Sequence, residues 1–390
     1  MVHSRHSFYS NLPHMAFQAP LTDSAEGMRP FGRACRYHLR MEDVLCDISA
    51  FRFHRVPPQV LMLLPPVPSA LNDGNRLQLT SCSLVTEALR LPVHLLCERK
   101  GASRAGDRVA KHVWRGERPI GALQETPMGI SVTSPLFTLL TMAPSVSFTQ
   151  LVMAIYEFCG TFSVYSPTPF AEELLSRAYR EHALDPGFGW ARMASFEGKP
   201  TNMWHRPPLI ELDELRAFSA QCEGMRGSKK FRLAASMVTG ICASVLEVQE
   251  SMLFAMPRSC GGEGLSICNN IELELSKSAR RISGARKRVG DIVVYSDDGL
   301  ICAVVECQGQ AFHGSPAAML ADSDRTTALQ AMGYEVILTT YSQMIDPKAF
   351  ETVTELLYRK IGKSRRPKTQ NQKRKEAELR RQIFVPWELL

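Results

Sequence analysis

The residues best placed to do chemistry lie in GDIVVYSDDGLICAVVECQGQAFHG, positions 290–314. Asp291 opens one apolar run, Glu306 closes a second, and SDDG stands between them. Asp and Gly suit tight turns, so the two runs read as antiparallel strands of a hairpin. Residues 291 and 306 lie symmetrically about the turn and are expected side by side. Side chains alternate along a strand, which groups Asp291 with Val293 and Tyr295, and Glu306 with Cys302, Val304 and Gln308. Two ionised carboxylates about 4 Å apart repel by roughly 4 kcal/mol at an effective dielectric of 20. A shared proton, a basic side chain or a divalent cation must offset that. Oxygen ligands with an open position suit Mg²⁺. His313 follows closely and is a candidate to move a proton.

The wider pattern resembles the PD-(D/E)xK nuclease signature. Within that superfamily it is similar to the very-short-patch-repair endonuclease branch and its relatives of unknown function. GDIVVY, AVVECQGQAFHG and DSDRTTALQAMGYEVILTT carry the likeness, with Asp291, Glu306, Gly309, His313, Arg325 and Gly333 on matching positions. SVLEVQESMLFAMPRSCGGEGL has the shape of that branch's first helix and puts Glu247 on its glutamate position. The resemblance spans residues 244–363. It implies a restriction-endonuclease-like domain and a Mg²⁺-dependent endonuclease that hydrolyses phosphodiester bonds of DNA, in phage defence or DNA repair. It further implies a catalytic set of Asp291, Glu306, Gln308, His313 and Glu247. Asp291 and Glu306 would be the metal ligands, with the Cys307 carbonyl as a further ligand and Arg325 on a phosphate.

Gln308 departs from the pattern, because the superfamily has Lys there and this branch usually Asp. An amide offers a carbonyl oxygen but neither accepts a proton nor carries charge. A catalytically inactive nuclease-fold module, gripping DNA or acting as an antitoxin-like regulator, is therefore the alternative. A protein-interaction domain with a charged tail is a third reading. Each residue also has a plain structural role open to it. Asp291 and Glu306 would be an edge-strand ion pair, Arg325 a partner of Asp322 or Glu306, and Glu247 a solvated helix residue.

The elements that must position these groups follow from local pattern. A chain of 390 residues fits two domains. The expected class is α/β (α+β), with mixed sheets flanked by helices and the C-terminal domain restriction-endonuclease-like. The expected division is an arm over 1–30, an α/β regulatory or recognition domain over 31–165, a Pro-rich connection with a helix over 166–208, the nuclease-like domain over 209–363 and a basic tail over 364–390. HVWRGERPIGALQETPMGISVTSPLFTLLTMA gives the second segment a likeness to abortive-infection antitoxins of the AbiEi type. That makes it the segment expected to receive a protein partner.

PVHLLCE and RLQLTS read as strands, and SPLFTLLTMA, SFTQLVMAIYEFC and FAEELLSRAYREHAL as helices. LAASMVTGICASVLEVQESMLFAMP reads as one long helix weakened by Gly240. NIELELS is a strand, KSARRISGARKRVG a basic turn, Ser315-Pro316 a helix start, YEVILTTY a buried strand and Asp346-Pro347 a further helix start.

Charge and composition set the partners. The net charge is +7, and two basic runs flank the hairpin region. Arg280, Arg281, Arg286, Lys287 and Arg288 in one, and Lys373, Arg374 and Lys375 in the other, are nucleic-acid-binding candidates beside Arg325. The tail's last apolar residues, Ile383 to Leu390, are also able to dock on the protein. The 11 cysteines are odd in number and lack any C-x-x-C pair, which points to a reducing compartment. No zinc ligand set, P-loop or G-x-G-x-x-G fingerprint occurs at motif spacing. With no apolar signal-type start and no spanning segment, a bacterial cytoplasmic protein is expected, with DNA and no membrane as partner.

Overall fold

In the computed structural model the described residues are 44–67, 80–97, 108–181, 189–195, 197–308 and 316–390, without the side chains of 316–322. They belong to one compact unit of mixed α and β structure running from Arg40 to Leu390. Among the described residues no helix is long and apolar enough to cross a membrane.

The first sheet has the order β3-β2-β1-β5-β4, formed by β1 (Val44–Leu45), β2 (Val93–Cys97), β3 (Val109–Val113), β4 (Leu123–Glu125) and β5 (Ser131–Thr133). Helix α1 (Asp47–Arg55) leaves β1 directly. The expected strand PVHLLCE is β2, whereas most of RLQLTS falls outside the described residues. Helix α2 (Phe148–Cys159) is fixed at its start by a reciprocal cap. The Ser147 hydroxyl accepts the Gln150 amide, and Gln150 Oε1 accepts the Ser147 amide. Every residue from Leu151 to Cys159 is buried, so this helix runs through the protein with no solvated face. It ends at Gly160, where a Cβ would lie 2.6 Å from the Cys242 carbonyl oxygen, an approach only glycine permits.

The Pro-rich stretch is more structured than a connection. It carries the helix Pro169–Arg180 and the strands β7 (Ala191–Ala194) and β8 (Pro200–His205), which pair antiparallel beside β6 (Phe162–Val164).

The third sheet has the order β12-β11-β10-β9. Helix α3 (Val245–Ala255) precedes β9 (Ser266–Glu274); α4 (Lys277–Ser283) links β9 to β10 (Lys287–Tyr295); β11 (Cys302–Gln308) returns antiparallel. Helix α5 (Pro316–Gln330) then crosses to β12 (Glu335–Thr340), which is parallel to β11. Ile292, Val294, Ala303 and Val305 enter the main core on one face. Val293 and Val304 pack with Leu275, Ala279, Ala328 and Leu329 on the other. Burial on both faces explains why β10 and β11 read as unbroken apolar runs.

Three expectations need correcting. The long helix before β9 breaks into Ser228–Ala235 and α3, because Gly240 lies against β9, where a Cβ would be 2.9 Å from the Asn269 amide. KSARRIS is a helix, α4, capped by Ser276 and closed by Gly284 at φ +65. β12 is half exposed, as suits an edge strand.

Helices α6 (Pro347–Lys360) and α7 (Gln370–Ile383) complete the unit, and the tail is docked. Leu379, Ile383, Trp387 and Leu390 join the same core as Val44 and Phe51. The anchor is Glu157 on α2, a fully buried carboxylate. It accepts Arg55 Nε at 2.8 Å, the Val164 amide at 3.1 Å, the Ser163 hydroxyl at 3.3 Å and Trp387 Nε1 at 2.7 Å. Arg55 also donates to the Trp387 carbonyl at 3.0 Å.

Removing one member of a buried, hydrogen-bonded charge pair strands the other. Glu157→Ala is predicted to lose about 3–5 kcal/mol of stability in denaturant unfolding. A loss below about 1 kcal/mol, the scale of an exposed pair, would show that Glu157 anchors nothing.

Candidate functional site at the open end of the hairpin

The β10–β11 ladder runs from Tyr295↔Cys302 to Ile292↔Val305. One step further the same register sets Asp291 across from Glu306, the juxtaposition that the turn's symmetry requires. There the Cys307 amide turns to Asp291 Oδ2 at 2.8 Å, so the Asp291 carboxylate enters the space between the strands. The β9 side is distorted at the same level. Asn270, between the paired positions Ile271 and Asn269, has φ +48 and sends its side-chain amide to Glu247 Oε2 at 2.9 Å.

Glu247 lies in the first turn of α3, which Ser244 caps. Its carboxylate accepts the Ala243 amide at 2.8 Å and the Ser244 hydroxyl at 2.9 Å besides Asn270. Burial, and then the charge of Asp291, push its pKa up to about 7. One turn later comes Glu250, fully buried, with the Thr339 hydroxyl 2.9 Å from both carboxyl oxygens and the Cys307 thiol bonded to it. Burial pushes Glu250 up to about 8, and Asp291 and Glu247 add to the rise. Sequence reasoning missed Glu250. The E-x-x-E spacing of 247 and 250 was the available signal, since residues three apart share a helix face.

Glu306 makes a different partnership. It is buried, and its Oε2 lies 3.2 Å from Arg325 Nε on α5. Asp291 raises the pKa values of both α3 acids, and Glu306 pairs with Arg325. Gln308 closes β11, half-buried, in register with Thr340. His313 and Gly309 lie outside the described residues.

The basic candidates also differ among themselves. Arg280 donates to the Leu275 carbonyl, Arg288 to the Ser283 carbonyl, and Lys287 pairs with Glu272 at 2.5 Å. Arg281 and Arg286 are exposed around Gly284. On α7, Lys373 and Arg374 are exposed, whereas Lys375 pairs with Glu378 at 3.3 Å.

The α3 acids are thus buried carboxyl groups whose pKa values Asp291 helps to raise. Compared with known proteins, the chain matches no family model, no curated protein and no solved structure.

The raised pKa values fix a pH dependence. Between the unfolded carboxyl range near 4.5 and the folded values of about 7 and 8, the folded state binds more protons than the unfolded one. These two groups therefore make stability fall as pH rises through that window. Glu250→Gln is predicted to match the natural chain's melting temperature near pH 4.5 and to exceed it at pH 9. An offset independent of pH would show that Glu250 is already ionised when folded.

Proposed function

We propose that residues 244–363 are a nuclease-fold module that hydrolyses phosphodiester bonds of DNA at the open end of the β10–β11 hairpin. The observation that carries the reading is that the charge of Asp291, beside the end of the hairpin, bears on both buried acids of α3, Glu247 and Glu250. The order α3-β9-α4-β10-β11-α5-β12, with neighbouring strands consecutive and β11 parallel to β12, supports a restriction-endonuclease-like fold. Residues 44–165 would supply regulation or target choice.

The donor set fits Mg²⁺. Asp291 raises the pKa of Glu247, so two carboxylates crowd a space that a divalent cation would stabilise. Asp291 and Glu247 would hold the ion, with the Cys307 carbonyl as a further ligand. Bound there, Mg²⁺ supplies an acidified water and neutralises phosphate charge. The chain's own groups do the rest. Asp291 keeps its orientation through the Cys307 amide, Glu247 through Ala243, Ser244 and Asn270, and Gln308 presents an amide at the strand end. Arg281, Arg286, Lys373 and Arg374 would neutralise the backbone phosphates of DNA.

A second reading, an inactive module that binds DNA, is favoured by the Arg325–Glu306 pair and by the neutral Gln308. Plasmid cleavage with Mg²⁺ separates the two. On the enzymatic reading, Asp291→Ala and Glu247→Ala each lower the rate by about 100-fold or more, the scale for loss of one positioned electrostatic group. Absence of cleavage by the natural chain and by Gln308→Asp, with DNA binding intact, would establish the binding module. Because α7 is docked, its cations are tested by substitution. Lys373→Gln with Arg374→Gln should make the slope of log affinity against log salt about 1.8 less negative, at about 0.9 per phosphate contact. An unchanged slope takes α7 out of the interface.

A further inference from the structure

A second cluster of chemistry-bearing side chains lies in the first sheet, built from residues that no motif spacing connects. His94 is on β2 and His112 on β3. In this parallel pair His112 stands opposite Leu96, two residues along from His94 on the same face, so the rings meet diagonally. Their centroids are 4.9 Å apart, and His94 Nδ1 lies 2.8 Å from His112 Nε2. The Cys46 amide bonds the His94 carbonyl at 3.0 Å, which brings Asp47, at the start of α1, to the same level. Asp47 Oδ2 lies 3.3 Å from His112 Nδ1. One ligand atom from each of the three residues falls within 4.8 Å of the others.

Asp47 is set up with unusual care. It is fully buried and sits at φ +52, a conformation uncommon outside glycine and concentrated at functional positions. Its Oδ1 accepts the Ile48 amide at 2.7 Å, and the Ser145 hydroxyl donates to its Oδ2. Its own amide donates to Thr141 Oγ1 at 3.1 Å. Hydrogen bonds of this kind orient a ligating carboxylate from behind.

Burial lowers the pKa of His94 to about 4 and also lowers that of His112; Asp47 opposes both shifts. Burial thus works toward the uncharged ring, the form in which imidazole binds metal. The His112 side chain keeps 22% of its surface, so the cluster is reachable from solvent.

We propose that Asp47, His94 and His112 form a transition-metal site that takes Zn²⁺ with three protein ligands and one open position. Two imidazoles and a carboxylate are the donors of open zinc sites and suit Mg²⁺ poorly. The site is separate from the acids of the third sheet and stands whether or not those acids cleave DNA.

The test is calorimetric titration of the full chain, kept reduced, with Zn²⁺ alone. The expected result is one equivalent bound, undisturbed by excess Mg²⁺ and retained in Asp291→Ala. Ser145→Ala should weaken binding about 10-fold, the smaller end of the range for a residue that orients a ligand, and His94→Gln or His112→Gln by more. Thermal melts without metal check that the variants fold. Should a histidine variant fail to fold, Ser145→Ala decides the matter alone. Less than one equivalent bound, or undiminished affinity in the folded variants, overturns the site.

Discussion

The structure depends on a carboxylate that water does not reach. Glu157 stands towards the end of α2, and its two oxygens collect bonds from α1, from Ser163 and Val164 of β6, and from Trp387. A buried ion pair is a weak source of net stability, because desolvation offsets most of the attraction. What it provides is uniqueness. Four chain segments with unrelated apolar surfaces could pack in several ways, but only one arrangement satisfies both oxygens. The apolar core then fills in around that arrangement.

The candidate site obeys the opposite logic. Its groups are held where they are electrostatically uncomfortable. Asp291 accepts the Cys307 amide through its side chain, and Asn270, in a left-handed conformation, donates to Glu247. Glu250 is buried against a threonine and a thiol. Elsewhere the fold treats acids differently. Burial alone would raise the pKa of Glu263, but Arg365 and Lys368 bond it and hold it below the ordinary carboxylate value. That contrast separates an acid used as a fastener from acids kept near their point of proton exchange.

Much of this was legible where it was local. The SDDG turn sets the register of β10 on β11, and so places Asp291 across from Glu306. Ser147, Ser134-Pro135 and Asp346-Pro347 start helices where cap chemistry puts them. The rest turns on contacts between distant residues. The break at Gly240 comes from β9 passing close by, which no helical pattern reveals. Alternation along the strands describes Asp291 and Glu306 but says nothing of Arg325 on α5 or of the acids on α3. His94 and His112 meet only because β2 and β3 lie parallel. In α7 the basic residues mask Leu379 and Ile383, one turn apart and buried.

The hold of Trp387 on Glu157 bears on how the protein is made. Synthesis runs from the N-terminus, and domains generally begin to fold while still attached to the ribosome. Here α2 is complete more than two hundred residues before its last partner exists. Until then Glu157 and Arg55 can pair with each other, but the cleft that receives Trp387 and Leu390 stays open. A chain interrupted before that point presents an unfinished core to chaperones and proteases. Completion of this core therefore waits on the packing of one tryptophan.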